Sequence, residues 1–257
     1  MLAVIRIILM TIALVLISIF SCLYSLIRPF HRDNVHHTAK YLGNVSKLLG
    51  LEVEVRIPDS VKALGPVVYI CNHQNSYDIF TVSGAVQPGT VSVGKKSLKW
   101  IPFFGQMYWL TGNILIDRKN KNKAMNTIDM TARKIREKKL SVWLFPEGTR
   151  SYGRGLLPFK TGAFRTAVKA EVPIVPICAS NTHKTIDLNR WNNGKMIIEF
   201  LDPIHISVNE RDKIRNITNQ TRTDMLVRIE ALNKETGHEI ALSKAKKTDE
   251  AQPSETK

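Results

Sequence analysis

Residues 7–27 carry no charged side chain, and no other feature restricts so strongly what this chain can fold into. As a helix these 21 residues would measure about 31 Å, against roughly 30 Å for the hydrocarbon core of a bilayer. Residues 1–28 therefore read as a membrane anchor. Thr11, Ser18, Ser21 and Ser25 lower its apolarity and leave open whether it crosses the bilayer or lies in the interface. A cleaved signal peptide would need a shorter apolar core and a small-x-small cleavage site, and neither is cleanly present. Ile19-Phe20-Ser21-Cys22 half resembles a lipoprotein cleavage box, but the apolar run continues to Ile27. Arg28, Arg32, Lys40 and Lys47 follow the run while only Arg6 precedes it, so the positive-inside rule places the rest of the chain in the cytoplasm.

Residues 33–50 read as a second, amphipathic helix, within a segment 29–50. Asp33 or Asn34 can cap it, Val35, Leu42, Val45 and Leu49 form its apolar stripe, and Gly50 ends it. Beyond this, short apolar runs at 51–56, 67–71, 91–93, 114–116, 142–145, 174–178 and 196–201 read as strands. Helical patterns at 79–86, 122–139 and 211–234 alternate with them; Ile214, Ile217, Leu226, Ile229 and Leu232 line one face of the last. This order predicts one α/β domain over 51–242, built on a mostly buried mixed sheet flanked by helices. The polar stretch from Lys244 onward has no apolar period, so residues 243–257 read as a disordered tail. Cys22, Cys71 and Cys178 are too widely spaced for a disulfide framework or a CxxC metal site.

Charge narrows the partners. The chain holds 37 Lys and Arg against 22 Asp and Glu, a net +15. Residues 95–169 account for most of it, with 17 basic residues against Asp117, Asp129, Glu137 and Glu147. Such a segment suits nucleic acid. However, Lys121, Lys123, Arg133, Lys134, Lys138 and Lys139 sit on or beside one amphipathic helix, which is ordinarily a solvated face. Next to a membrane anchor that face is drawn to anionic headgroups by about 1 kcal/mol per residue. Anionic membrane lipids are the expected partner, and nucleic acid is not. Gly89 to Lys96 nearly spells a phosphate-binding loop, but Lys96 stands where Ser or Thr is needed and 91–93 reads as strand. No GxSxG elbow and no HExxH motif occurs.

Two polar segments follow buried strands, where α/β sheets bind ligands, and a third closes a strand of its own. In Asn72-His73-Gln74-Asn75-Ser76-Tyr77-Asp78, His73 can act as a general base and Asp78 can hold its ring. Positions five apart lie about 140° apart on a regular helix, so the two meet only across an irregular turn. Otherwise Asp78 caps the next helix and His73 is an unrelated loop residue. In Phe145-Pro146-Glu147-Gly148-Thr149-Arg150-Ser151, Gly148 permits an unusual backbone angle and Thr149 and Arg150 are phosphate donors. Glu147 can accept from a hydroxyl or fix the arginine. Gly112 to Arg118 ends a strand with the acid–arginine pair Asp117 and Arg118. Each segment alone could be a turn with a surface ion pair. Between the first and third segments, Trp100, Phe103, Phe104, Met107, Tyr108, Trp109 and Leu110 form a dense apolar stretch, broken by Pro102 and Gly105. It reads either as core or as a wall facing membrane or acyl chain.

The His-x4-Asp segment, then 112–118, then 145–151, then Val172-Pro173-Ile174-Val175-Pro176-Ile177, resembles the glycerolipid acyltransferase family, and within it the bacterial 1-acylglycerol-3-phosphate acyltransferases. The resemblance covers nearly the whole chain; Ser97, where many relatives carry Glu, departs from it at a position without a catalytic role. It implies transfer of a fatty acyl group from acyl-coenzyme A or acyl carrier protein to the 2-hydroxyl of lysophosphatidic acid, giving phosphatidic acid. It implies His73 as base, Asp78 as its orienting partner, and direct transfer without an acyl-enzyme. Lys95, Arg118 and Arg150 would hold the phosphate, with Glu147, Gly148 and Thr149 shaping the acceptor site. An amide in the His73 turn could supply the oxyanion donor. No metal or redox cofactor is implied, and the expected location is the bacterial inner membrane, catalytic domain inward. Another lysolipid or glycerol phosphate as acceptor, or a non-catalytic anionic-lipid binder on the same fold, stays open.

Overall fold

The computed structural model describes residues 1–116 and 121–238. Seven strands form one sheet in the order β1-β7-β6-β2-β5-β3-β4. They are β1 (Glu52–Arg56), β2 (Val68–Cys71), β3 (Thr90–Lys95), β4 (Ile114–Ile116), β5 (Ser141–Leu144), β6 (Ile174–Ala179) and β7 (Lys195–Phe200). Every neighbouring pair is parallel except β6 and β7. All seven coincide with the apolar runs read from the sequence. The mixed α/β sheet flanked by helices is the expected fold class.

The helices are α1 (Leu2–Ile27), α2 (Asn34–Asn44), α3 (Asp59–Lys62), α4 (Asp78–Thr81), α5 (Phe104–Leu110), α6 (Lys121–Lys138), α7 (Gly162–Ala170) and α8 (Ile214–Glu235). Alternation along β2 assigns the two sheet faces. Val68 and Ile70 face Ile135 of α6, Phe164 of α7 and Met225 and Leu232 of α8. Tyr69 and Cys71 face Leu42, Leu49, Phe80 and Met107. With both faces covered, the central strands are buried throughout, which is why they read as continuous rather than alternating apolar runs.

Three local expectations need correction. The helix expected over 33–50 is α2 followed by a 3₁₀ turn, Val45–Leu49, before Gly50 ends it at φ +67°. The pattern at 79–86 is one helical turn plus a 3₁₀ turn, because Gly84 lies against Gly43 of α2: a Cβ on Gly43 would sit 2.5 Å from the Gly84 Cα. No helix is read from the sequence at 162–170, yet α7 forms there and buries Ala163, Phe164, Ala167 and Val168. The expected tail 243–257 lies outside the described residues.

Helix α1 starts earlier than the uncharged run, because Arg6 is not exposed. It is 5% accessible and donates to the carbonyls of Asp187 (3.5 Å), Leu188 (3.2 Å), Arg190 and Trp191 (2.9 Å). The Ala3 amide donates to Asn189 Oδ1 at 3.1 Å. At the other end Phe30 N–H donates to Leu110 O at 3.2 Å and the Phe30 ring meets Trp109 edge-on. Between these pins the small Ser18, Ser21 and Ser25 face inward, with Thr38 of α2 donating to Ser21 Oγ at 3.0 Å. Ile5, Leu9, Ile12, Leu16, Ile19, Leu23 and Leu26 face outward. The helix rests along the α/β body, with an aliphatic face turned away from it.

Candidate active site

Strands β2, β5 and β3 are consecutive parallel neighbours, so their carboxyl ends open on one edge of the sheet. That edge carries the turn after Cys71, the loop after Leu144 and Lys95. The turn is irregular from 72 to 77, and α4 begins at Asp78. This brings Asp78 Oδ2 to 2.6 Å from His73 Nδ1. The same oxygen accepts the amides of Gln74 (2.7 Å) and Asn75 (3.3 Å). The two readings of Asp78 thus merge: it shapes the turn and, by shaping it, holds the imidazole. The structure leaves the His73 side chain 19% accessible and that of Asp78 3%.

The second motif forms the wall behind His73. Phe145 stacks on the imidazole at 4.0 Å between ring centroids, 14° from parallel. Glu147, which is buried, accepts the His73 amide through Oε1 at 2.7 Å and the Leu157 amide through Oε2 at 3.0 Å. Ser151 N–H donates to His73 O at 2.8 Å, and Tyr152 N–H to Gln74 O at 2.9 Å. Burial pushes the Glu147 carboxyl up to about 7 against the pull of its two amide donors. Among the described residues Glu147 meets no hydroxyl and no arginine; it stands behind the histidine and fixes its backbone.

The loop after β6 closes the third side. Asn72 exchanges hydrogen bonds with Ala179 (2.8 and 2.9 Å), Gln74 accepts Thr182 N–H at 2.8 Å, and Asn75 donates to Thr182 Oγ1 at 2.9 Å. Cys71, just before the turn, is fully buried, and burial pushes its thiol well above the ordinary range, so it packs rather than reacts. The amides of His73, Gln74, Asn75 and Tyr77 are all spent inside the protein. Among the described residues, the Ser76 amide has no acceptor.

Arg150 reaches across to the turn, donating to Ser76 Oγ (3.3 Å) and Tyr152 Oη (3.1 Å). The Arg150 hydrogen bond holds the Tyr152 phenol below its ordinary range. Thr149 is exposed, and Gly148 sits at φ +73°, where a Cβ would lie 2.8 Å from Lys160 Nζ. Lys160 is thus a further cation at this loop, placed there by Lys160 N–H donating to Pro146 O at 2.9 Å. Only its folding back over a glycine twelve residues away reveals it. Lys95 is exposed at the end of β3. Asp117 and Arg118 lie outside the described residues. Among the described residues, no three His, Cys, Asp or Glu side chains gather as a metal site would require.

An imidazole held by a carboxylate, beside cations at the carboxyl edge of an α/β sheet, suits transfer to a hydroxyl on an anionic molecule. Comparison with known proteins agrees. Residues 52–180 match the family model described as Acyltransferase. The chain is 52% identical over 235 residues to a 1-acyl-sn-glycerol-3-phosphate acyltransferase of Haemophilus influenzae, covering 91% of this chain and 98% of that one. It is 47% identical over 244 residues to the enzyme of that name in Escherichia coli, covering 95% and 100%. The crystal structure of the 1-acyl-sn-glycerophosphate acyltransferase from Thermotoga maritima superposes with a TM-score of 0.69 at 21% identity, over 90% of this chain and 95% of that one, and shares the fold. The chain belongs to the acyltransferase family.

Proposed function

We propose that this enzyme transfers a fatty acyl group from the thioester of acyl-coenzyme A or acyl carrier protein to the sn-2 hydroxyl of 1-acylglycerol 3-phosphate. The product is phosphatidic acid. The observation that carries the reading is the His73–Asp78 contact of 2.6 Å, on a ring whose other nitrogen has no protein partner among the described residues. With Nδ1–H donating to the carboxylate, Nε2 is the acceptor tautomer. Nε2 takes the proton of the 2-hydroxyl as the oxygen attacks the thioester carbonyl. The C–S bond then breaks, and the imidazolium returns the proton to the leaving thiolate, so no acyl-enzyme forms. Asp78 stabilises the imidazolium between these steps, and Phe145 keeps the ring plane fixed. The Ser76 amide is the donor we assign to the developing oxyanion. Arg150, with Lys95 and Lys160, holds the acceptor phosphate; Arg118 completes that set by family resemblance.

Membrane association follows from α1, a 26-residue helix of apolar composition that turns its aliphatic face outward. With both of its ends on the α/β body, it meets a bilayer side-on, in the interface. By family resemblance the catalytic domain lies on the cytoplasmic face of the bacterial inner membrane, where Arg28, Arg32, Lys40 and Lys47 would meet anionic headgroups. The test is full-length protein with lysophosphatidic acid and labelled acyl-coenzyme A, the lipid product being identified. Phosphatidic acid is expected, and His73→Ala is expected to lower kcat by roughly 10²–10⁴ with little change in acceptor binding. A His73→Ala enzyme with normal turnover would overturn the mechanism.

A further inference from the structure

The apolar stretch between the motifs divides in the structure. Phe104 and Met107 turn inward and join the core. Trp100, Phe103 and Trp109 turn outward, 75%, 50% and 54% accessible, with Ile101 beside them. This is neither core nor the lining of an internal tunnel. Nor is it a slack loop. Lys96–Trp100 is a 3₁₀ turn, and Gly105 packs so closely on it that a Cβ would lie 2.4 Å from the Lys99 carbonyl oxygen. Phe103 is held at φ +62°, a region bulky residues avoid, with its ring presented to the outside.

What covers such a patch is indicated by its neighbours. The Phe30 ring, just past the end of α1, lies 5.1 Å from that of Trp109, so the patch continues the outward aliphatic face of α1. Cations rim it. Lys95 and Lys96 are exposed, and Lys99 Nζ sits 4.3 Å over the Trp100 ring. Tryptophan flanked by lysine is the chemistry of a headgroup boundary. The turn also starts from the carboxyl end of β3, the edge that carries the His73 turn.

We propose that Trp100–Phe103, together with Trp109, is a second membrane-inserting element, which with α1 holds the catalytic edge of the sheet against an anionic bilayer. α1 supplies the apolar area, and the aromatic turn sets which edge faces the lipid. A substrate hydroxyl at headgroup depth then meets His73 without the lipid leaving the membrane. The insertion itself does not depend on which acceptor the site takes.

The test uses the full chain on vesicles of phosphatidylethanolamine and phosphatidylglycerol, some with brominated acyl chains. A variant carrying Trp109→Phe, Trp143→Phe and Trp191→Phe reports from Trp100 alone; the difference between wild type and Trp100→Phe reads the same quantity should that variant fail to fold. Trp100 emission is expected to shift to the blue on vesicles and to be quenched by the brominated lipid. A chain that floats with vesicles while Trp100 stays unshifted and unquenched overturns the proposal. So does shielding of Trp100 by self-association without lipid, which would make the patch a contact between copies. In a second arm, Trp100→Ser with Phe103→Ser should lower the rate on vesicle-embedded acceptor roughly tenfold, the scale of losing two partly buried aromatic side chains. The rate on a dispersed short-chain acceptor should hold. Equal loss on both would mean that these side chains serve the site itself. Quenching needs no turnover, so its outcome stands apart from that of the proposed reaction.

Discussion

Residues 72–78 and residues 2–27 must both be held in place against the same sheet, and they are held by different means. The His73 turn is fixed by direction: Asp78, Glu147, Gln74 and Asn72 each satisfy a named amide or ring nitrogen at 2.6–2.8 Å. Most of its amides are spent on named partners, the fixed geometry that the proposed proton transfer calls for. α1 is fixed by hydrogen bonds at its ends and by small residues between them, leaving a broad aliphatic face whose match is a fluid. A bilayer offers area and no fixed partners, so contact with it calls for surface rather than bond geometry. Precision belongs where chemistry happens, and apolar area where lipid is met.

The largest expected effect tests the directional side. Glu147→Gln keeps the shape but turns an NH₂ toward one of the two amides that the carboxylate now accepts. The unpaired donor costs about 1–3 kcal/mol of stability. Loosening the backbone of His73 should also lower kcat by roughly 10²-fold or more. A pH signature identifies the group. Its carboxyl is raised from 4.5 to about 7 in the folded state, so between those values the folded protein binds more proton than the unfolded one. Stability therefore falls as pH rises through that window, by about 3 kcal/mol at most; below it this group costs nothing, and above it the full loss persists without further pH dependence. Denaturant titrations across the window should show the slope in wild type and lose it in Glu147→Gln. A variant with wild-type slope and turnover would mean that the turn is not clamped from behind.

This contrast also decides what could be read in advance. The strands were legible because burial on both faces leaves uninterrupted apolar runs such as Val68 to Cys71. At the candidate site residue type singled out His73, Asp78 and Arg150, and the structure brings Asp78 to the imidazole and Arg150 to Ser76 of the same turn. What escaped depends on segments meeting across the fold. Glu147 and His73 are 74 positions apart, and nothing local to Glu147 says that its partner is a backbone amide. Phe145 looked like the last residue of a strand before it proved to be the floor under the imidazole. Arg6 looked like the charged flank of an anchor, and its partners lie more than 180 residues away. Helix α7 escaped because nine residues hold too few turns to establish a period.

An intermediate effect is expected at Arg150, which reaches Ser76 and Tyr152 yet keeps donors for a ligand. Arg150→Ala should raise the acceptor KM by roughly 10- to 150-fold, the loss of a charge-assisted interaction of about 1.5–3 kcal/mol. Arg150→Lys should recover part of it, since lysine keeps the charge without the planar fork. Steady-state kinetics with lysophosphatidic acid and with a phosphate-free monoacylglycerol separate the roles. The preference for the phosphate acceptor should shrink in both variants; an intact preference would remove Arg150 from phosphate binding.

The smallest expected effect is at Arg6, where the two modes of attachment meet in one helix. The guanidinium is buried against four carbonyls of the loop after β6, a directional pin on an element otherwise held by area. Arg6→Met preserves length and apolarity, and the freed carbonyls lie in a surface loop where water can replace the donor. The cost is therefore about 1 kcal/mol or less, and the global melting temperature should barely move. The local cost is different. Without the pin, the first turns of α1 have the Ala3 amide and Met10 to hold them, so amide exchange over residues 2–10 should quicken while that of residues 18–27 stays as in wild type. Hydrogen exchange resolved by segment, in detergent and on vesicles, measures this. If residues 2–10 are equally protected in Arg6→Met and wild type in detergent, apolar area alone holds the helix. The pin would then be dispensable, and the division between direction and area would fall at the edge of the α/β body instead of inside α1.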